Sequence, residues 1–224
     1  MLPVYDFHTH TFLSDGVLSP MELIRRAHDK GYAAIAITDH VGLATQERVV
    51  SVLVEECERA MSQWDIIAIP GVEITHVPNA LIAEAAQRAK ALGARLVVVH
   101  GETIVEPVEL GTNSGAVGAA DVDVLAHPGL ITAQDVATAS RRGVYLEVSA
   151  RRGHSLTNGH VVKLALQAGA GLLLDSDAHT PEDLLTEELA YRIAKGGGLE
   201  SEQLQAVLDT NPKKLLKQLG YSPT

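Results

Sequence analysis

Short apolar runs recur along the chain, each followed by a polar residue and then by a segment with apolar positions three and four apart. The runs are Met1 to Tyr5, Ala33 to Thr38, Ile66 to Ile69 with Val72 and Ile74, Arg95 to Val99, Val122 to Ala126, Val144 to Val148 and Gly171 to Leu174. They are too short for helices and nearly continuous in apolar character, as strands buried on both faces are. Pro70-Gly71 interrupts the third, which predicts a bend or bulge there. Between the runs the helical period predicts a helix from a Ser19 cap to about Lys30, one around Val49, Leu53, Cys57, Ala60 and Trp64, and an Ala-rich one from Ala80 to Leu92 capped by Asn79. A short helix capped from Thr112-Asn-Ser114, others near Ala133 to Arg142 and His160 to Ala168, and two more at about 181 to 195 and 201 to 219 complete the series. Strict strand–helix alternation predicts a parallel sheet with helices outside. Right-handed crossovers can close such a sheet into a distorted seven-stranded (β/α)7, TIM-like barrel, and residues 1–224 read as one unit.

The polar residues that end these runs carry the chemistry. His8 and His10 lie two apart at the end of the first strand, so both project to one side, and Asp15 in a Ser-Asp-Gly turn can return a carboxylate to the same point. The later strands deliver His40, Glu73, His100, His127 and the stretch Asp175-Ser-Asp-Ala-His179, in which Asp177 and His179 repeat the two-residue spacing. In barrels the strand C-termini hold the active site. Nine candidate ligands result: His8, His10, Asp15, His40, Glu73, His100, His127, Asp177 and His179. A catalytic metal uses about three protein ligands and leaves a position open, so nine imply two or three divalent metal ions sharing a carboxylate, and Glu73 is the natural bridge. Imidazoles mixed with carboxylates suit zinc, manganese or iron.

Charge and cysteine content narrow the setting. Lys plus Arg is 18 against 28 Asp plus Glu, a formal charge of −10, which argues against a broad nucleic-acid surface while leaving room for a small phosphorylated substrate. The single cysteine, Cys57, can form no internal disulfide and falls on an apolar helix face. No basic leader or membrane-length apolar run is present, so the expectation is a cytoplasmic protein without membrane partners. The loop Arg151-Arg-Gly-His-Ser-Leu-Thr-Asn-Gly-His160 follows the sixth strand on the same rim. Arg151 or Arg152 can clamp phosphate and His154 or His160 can protonate a leaving oxygen, the alternative being a solvated loop with Asn158 as a helix cap. Glu147 either orients a ligand histidine or binds substrate. His76 reads as loop structure and His28 as surface.

Together, His8-Thr-His-Thr-Phe-Leu-Ser-Asp-Gly16, Thr38-Asp-His40, Gly71-Val-Glu73, His100-Gly, Ala126-His-Pro-Gly129 and Ser176-Asp-Ala-His179 resemble the motifs of the PHP (polymerase and histidinol phosphatase) superfamily. The resemblance implies a trinuclear phosphoester hydrolase. His8, His10, Glu73 and Asp177 would hold one metal, Glu73, His100 and His127 a second, and Asp15, His40 and His179 a third. The expected activity is hydrolysis of a small phosphorylated metabolite, histidinol phosphate first, through attack by a metal-bound hydroxide. A nucleotide phosphoesterase or nuclease of the same superfamily is the alternative. An amidohydrolase would place a carboxylated lysine near the fourth strand end, where this chain has His100 and its nearest lysine, Lys90, lies on the preceding helix. A scaffold subunit without activity would have no need of nine ligands.

Overall fold

The computed structural model describes residues 3–222, so Met1 and Leu2 of the first expected strand lie outside the described residues. The elements in order are β1 (Val4–Asp6), α1 (Pro20–Asp29), β2 (Tyr32–Ile37), β3 (His40–Val41), α2 (Gln46–Met61), β4 (Ile67–Ile74), α3 (Ile82–Leu92) and β5 (Leu96–His100). They continue with α4 (Thr112–Gly118), β6 (Val124–Ala126), α5 (Ala133–Arg142), β7 (Tyr145–Ser149), α6 (Asn158–Ala168), β8 (Leu172–Asp175), α7 (Glu187–Gly196), α8 (Ser201–Gln205) and α9 (Asn211–Gln218). Seven strands pair in parallel in the order β1-β2-β4-β5-β6-β7-β8, while the two-residue β3 adds to β4. The result is a nearly closed barrel with helices between the strands.

Two carboxylates dress the seam between β1 and β8. Asp175 Oδ1 accepts the Phe7 N–H at 2.7 Å and Asp6 Oδ1 accepts the Ser176 N–H at 3.0 Å, while Thr9 and Ala178 form a single parallel bridge above them. Each acid therefore satisfies the backbone donor that follows the other, in place of a continuous ladder. Both are fully buried, and that burial raises the pKa of each.

Alternation along the strands divides the core in two. Ala34, Ala36, Ile69, Leu96, Val98, Val124, Tyr145 and Leu173 fill the barrel interior, which Leu215 and Leu216 of α9 plug from below. Ile35, Ile37, Val72, Val97, Val99, Leu146 and Val148 face the helices, and Cys57 is buried in that outer layer. By the same alternation Glu73, His100 and Glu147 fall on the inner face, at the top of the barrel.

Two expectations are corrected. β4 runs unbroken through Pro70. The Pro70 carbonyl faces β5, where it accepts the Arg95 N–H at 2.7 Å, so its nitrogen faces the same side at a level before β5 begins and no ladder bond is lost. The last helix is interrupted by a π turn at Ala206–Thr210, just ahead of Pro212, whose missing N–H leaves that part of the helix unable to keep its regular bonding.

Candidate metal centre

The upper ends of the strands surround an open cavity of about 490 Å³, lined by Asp15, His40, His76, His100, Glu106, His127, Arg151, His154, Asp177 and His179 among others. His8, His10 and Glu73 form its buried floor. All nine candidate ligands converge here. His127 and Asp177 reach it through left-handed backbone, φ +25° and +53°. Without that turn His127 would follow Leu125 to the helix side, and non-glycine residues hold such angles only where surrounding structure enforces them.

The donor atoms stand apart by the separation expected of ligands on one ion. Two ligands each about 2.0–2.2 Å from a zinc-sized ion lie about 3.0–3.5 Å from each other. His8 Nε2 is 3.4 Å from Glu73 Oε2, and His10 Nε2 is 3.2 Å from Asp177 Oδ1. His127 Nε2 is 3.5 Å from Glu73 Oε1, so the two oxygens of Glu73 face different partners, as a bridge requires. Asp15 Oδ1 lies 3.5 Å from His40 Nε2, and its Oδ2 lies 3.1 Å from His179 Nε2.

Neighbouring acceptors fix which nitrogen each ring presents. His8 Nδ1–H donates to Glu147 Oε2 at 2.6 Å and His179 Nδ1–H to the Asp177 carbonyl at 2.9 Å, while His40 Nδ1 shares a 2.7 Å hydrogen bond with Thr75 Oγ1 and lies 2.6 Å from Glu73 Oε2. In all three the Nε2 lone pair is left facing the cavity. His8 Nε2, both nitrogens of His10, Glu73 Oε1, His100 Nδ1 and His127 Nδ1 are buried without a hydrogen-bond partner. Buried polar atoms are ordinarily paired, so these orphans fit bound cations.

Electrostatics point the same way. Asp15, Glu73, Glu106, Glu147 and Asp177 face one guanidinium, that of Arg151. Burial opposes charge on His8, yet Glu147, Glu73 and Asp177 hold its pKa well above the ordinary value; against the same opposition Glu73 and Asp15 raise His40 to about 10. Burial likewise works against the Glu73 and Asp177 carboxylates, but the surrounding histidines pull both below the usual carboxylate range. The cavity requires positive charge, which divalent ions would supply.

The remaining expected residues divide sharply. Glu147 is fully buried behind His8 and cannot touch substrate, which corrects its substrate-binding assignment. Arg151 lines the cavity, with Nη1 donating to the Asp177 carbonyl at 3.1 Å, whereas Arg152 is exposed and does not line it. His154 reaches the cavity, stacked on His127 at 4.1 Å and sharing a 2.7 Å hydrogen bond with Thr103 Oγ1. Burial, reinforced by His127, lowers its pKa to about 4. His160 does not line the cavity: its Nε2–H donates to the Ile131 carbonyl at 2.8 Å. Asn158 clamps both the N–H and C=O of Ser149 instead of capping α6.

Sequence reasoning missed three contributors. Asp39 accepts from the Thr11 N–H at 2.8 Å, the Thr11 hydroxyl at 2.7 Å and the Ser14 hydroxyl at 2.6 Å, pinning the turn that carries Asp15. Its place inside Thr38-Asp-His40 was the available signal. Glu106 stands 3.0 Å from His100 Nε2, and the His100 contact, despite partial burial, lowers its pKa to about 2. His76, exposed and at φ +52°, lies with its ring 5.1 Å from that of His100 at the cavity mouth.

Comparison with known proteins adds ancestry to this geometry. A family model described as PHP domain matches residues 6–103. An uncharacterized protein of Methanocaldococcus jannaschii is 44% identical over 216 residues, covering 96% of this chain and 99% of that protein. A 5'-3' exoribonuclease of Haemophilus influenzae is 40% identical over 75 residues, which are 34% of this chain but only 24% of that enzyme. Among solved structures, a Listeria monocytogenes protein assigned as a histidinol phosphatase superposes with TM-score 0.62 at 11% identity, covering 80% of this chain and 97% of that one. A chain from the metal-dependent tyrosine phosphatases of Bacillus subtilis and Streptococcus pneumoniae gives 0.62 at 16%, covering 98% and 99%. At those identities the structural likeness establishes the fold alone.

Proposed function

The chain belongs to the PHP family and is, at that level, a metal-dependent phosphoester hydrolase, and we propose that it hydrolyses a small phosphorylated metabolite in the cavity above Glu73. The observation that carries this reading is the convergence of His8, His10, Asp15, His40, Glu73, His100, His127, Asp177 and His179 with ligand-like separations beside one cavity-facing guanidinium. His8, His10, Glu73 and Asp177 would hold one ion, Glu73, His100 and His127 another, and Asp15, His40 and His179 a third, each zinc, manganese or iron. When bound, such ions supply Lewis-acid stabilisation of phosphoryl charge and a water acidic enough to attack at neutral pH.

The chain's own residues do the rest. Arg151 is held against the Asp177 carbonyl, 3.6 Å from its carboxylate, and presents its remaining N–H groups to a phosphate oxygen. Glu147 keeps the proton on His8 Nδ1. His154, with its pKa near 4, is neutral at working pH. Glu106 Oε1 at 3.5 Å and Asp177 Oδ2 at 3.8 Å favour the proton on His154 Nε2, so the ring hydrogen-bonds the leaving oxygen without storing a proton for it. Lys90 bonds the Arg95 carbonyl and Asp123 at the opposite end of β5, beyond reach of the cavity, which removes the carboxylated-lysine chemistry of amidohydrolases.

A second reading, a nucleotide phosphoesterase, is favoured by the stretch shared with the exoribonuclease. Against a long nucleic acid stand the loops that follow the strands: Phe12, Val17, Ile104, Val105, Leu110, Leu130 and Leu156 are exposed on them, and among the described residues Arg151 is the only lysine or arginine lining the cavity. Polyanion tracking needs several cations, whereas apolar loops suit the organic part of a small substrate. Phosphate release from a panel of amino-alcohol, sugar and nucleotide phosphates tests both, using protein loaded separately with zinc, manganese or iron. Metal-dependent release concentrated on small non-nucleotide esters is expected. Preference for nucleotides selects the second reading, and no release from any monoester sinks the monoesterase assignment.

A further inference from the structure

Glu106 lies on the loop between β5 and α4, outside the nine expected ligands, yet its carboxylate is the nearest acidic group to His100. Its Oε2 is 3.0 Å from His100 Nε2, within hydrogen-bonding distance, and a carboxylate there can only accept, which favours the proton on that nitrogen. The other nitrogen, Nδ1, is buried and has no partner. The arrangement repeats, with the nitrogens exchanged, that of Glu147 and His8, where Glu147 takes the Nδ1 proton and leaves a buried, unpartnered Nε2.

The loop is built to hold this contact. Glu102 Oε1 accepts the N–H groups of Gly111 at 3.0 Å and Asn113 at 2.9 Å, and Asn113 Oδ1 accepts the Glu102 N–H at 3.0 Å. Thr103 bonds His154, which stands 3.5 Å from Glu106 Oε1. One difference from Glu147 matters. The Glu147 side chain is fully buried on a strand, whereas that of Glu106 is 40% exposed on a loop.

We propose that Glu106 is the positioning residue for the metal position bounded by Glu73, His100 and His127, holding the proton on His100 Nε2 so that Nδ1 is offered to the ion. The proposal rests on the metal-binding reading above, and the partial exposure of Glu106 makes that side chain replaceable without disturbing the core. Removing a carboxylate that orients a ligand histidine costs about 10–100-fold in metal affinity.

The test needs no substrate. Zinc binding to wild type, Glu106→Gln and Glu106→Asp is titrated against chelators, and histidine tautomers in the zinc-loaded proteins are read by 15N NMR. Glu106→Gln should weaken one zinc about 10–100-fold and leave the others as in wild type, with partial recovery in Glu106→Asp. Wild-type His100 should show a protonated Nε2 and a metal-shifted Nδ1. Unchanged affinity for every zinc in Glu106→Gln, or zinc on His100 Nε2 in wild type, would overturn the proposal while leaving the phosphoesterase reading intact. A wild-type protein that binds no zinc, manganese or iron would overturn both.

Discussion

Replacement of Glu147 separates orientation of a metal ligand from contact with substrate. The His8 Nδ1–H to Glu147 Oε2 bond is 2.6 Å long and fully buried. A hydrogen bond to a charged group contributes about 1.5–3 kcal/mol, and Glu147→Ala would also leave the His8 N–H unpaired. At 1.36 kcal/mol per decade, that is about 10–150-fold in the affinity of the ion on His8. Glu147→Gln keeps an acceptor oxygen and loses only the charge, so its shift belongs at the lower end. Activity measured in metal-buffered solutions should show the half-saturating metal concentration raised by those factors, with KM at saturating metal within about twofold of wild type. An unshifted metal midpoint together with a raised KM would refute the reasoning, because it would put Glu147 on the substrate.

A β-carbon at Gly129 would stand 1.8 Å from the Glu102 carbonyl oxygen, at φ +60°. Left-handed strain of about 1–2 kcal/mol and overpacking of about 1–3 kcal/mol predict that Gly129→Ala lowers Tm by about 4–20 °C, and a loss below 2 °C in thermal denaturation would contradict the close approach of these loops. Arg151→Ala should reduce kcat/KM about 10–150-fold, chiefly through KM, whereas Arg152→Ala and His160→Gln should stay within about threefold; equal effects of the two arginines in steady-state kinetics would remove Arg151 from the site. Asp6 has a pKa raised from 3.8 to about 7 by burial, so the folded state holds a proton that the unfolded chain has released. Its contribution is therefore present below about pH 4 and is lost as pH rises to about 7. Metal-stripped Asp6→Asn should accordingly show a flatter Tm between pH 4 and 7, and a slope equal to wild type would contradict the buried proton.

Much of this architecture is legible in the sequence because barrel strands impose a period of two. Tyr145, Leu146, Glu147 and Val148 alternate inward and outward, so once the structure shows Tyr145 inside the barrel the same period puts Glu147 there too. His100 and Glu73 obey the same period, and His8 and His10 flank the single bridged residue Thr9. Periodicity says nothing, however, about residues that depend on loops or on a departure from it. His127 and Asp177 reach the cavity through left-handed backbone, and Glu106 arrives on a loop with no repeat. His160 lies three residues into the helix that follows the His154–Thr157 turn, and there it faces the Ile131 carbonyl. Pro70 misleads for a local reason: whether a proline breaks a strand depends on where the neighbouring strand starts, which is tertiary information.

Anomalous diffraction from crystals of the zinc- or manganese-loaded protein tests the central claim most directly. Peaks are expected on both sides of Glu73, one beside His8 and His10 and one beside His100 and His127, with a further peak among Asp15, His40 and His179. Ions confined to the surface, or an empty cavity in protein that bound metal in solution, would contradict it.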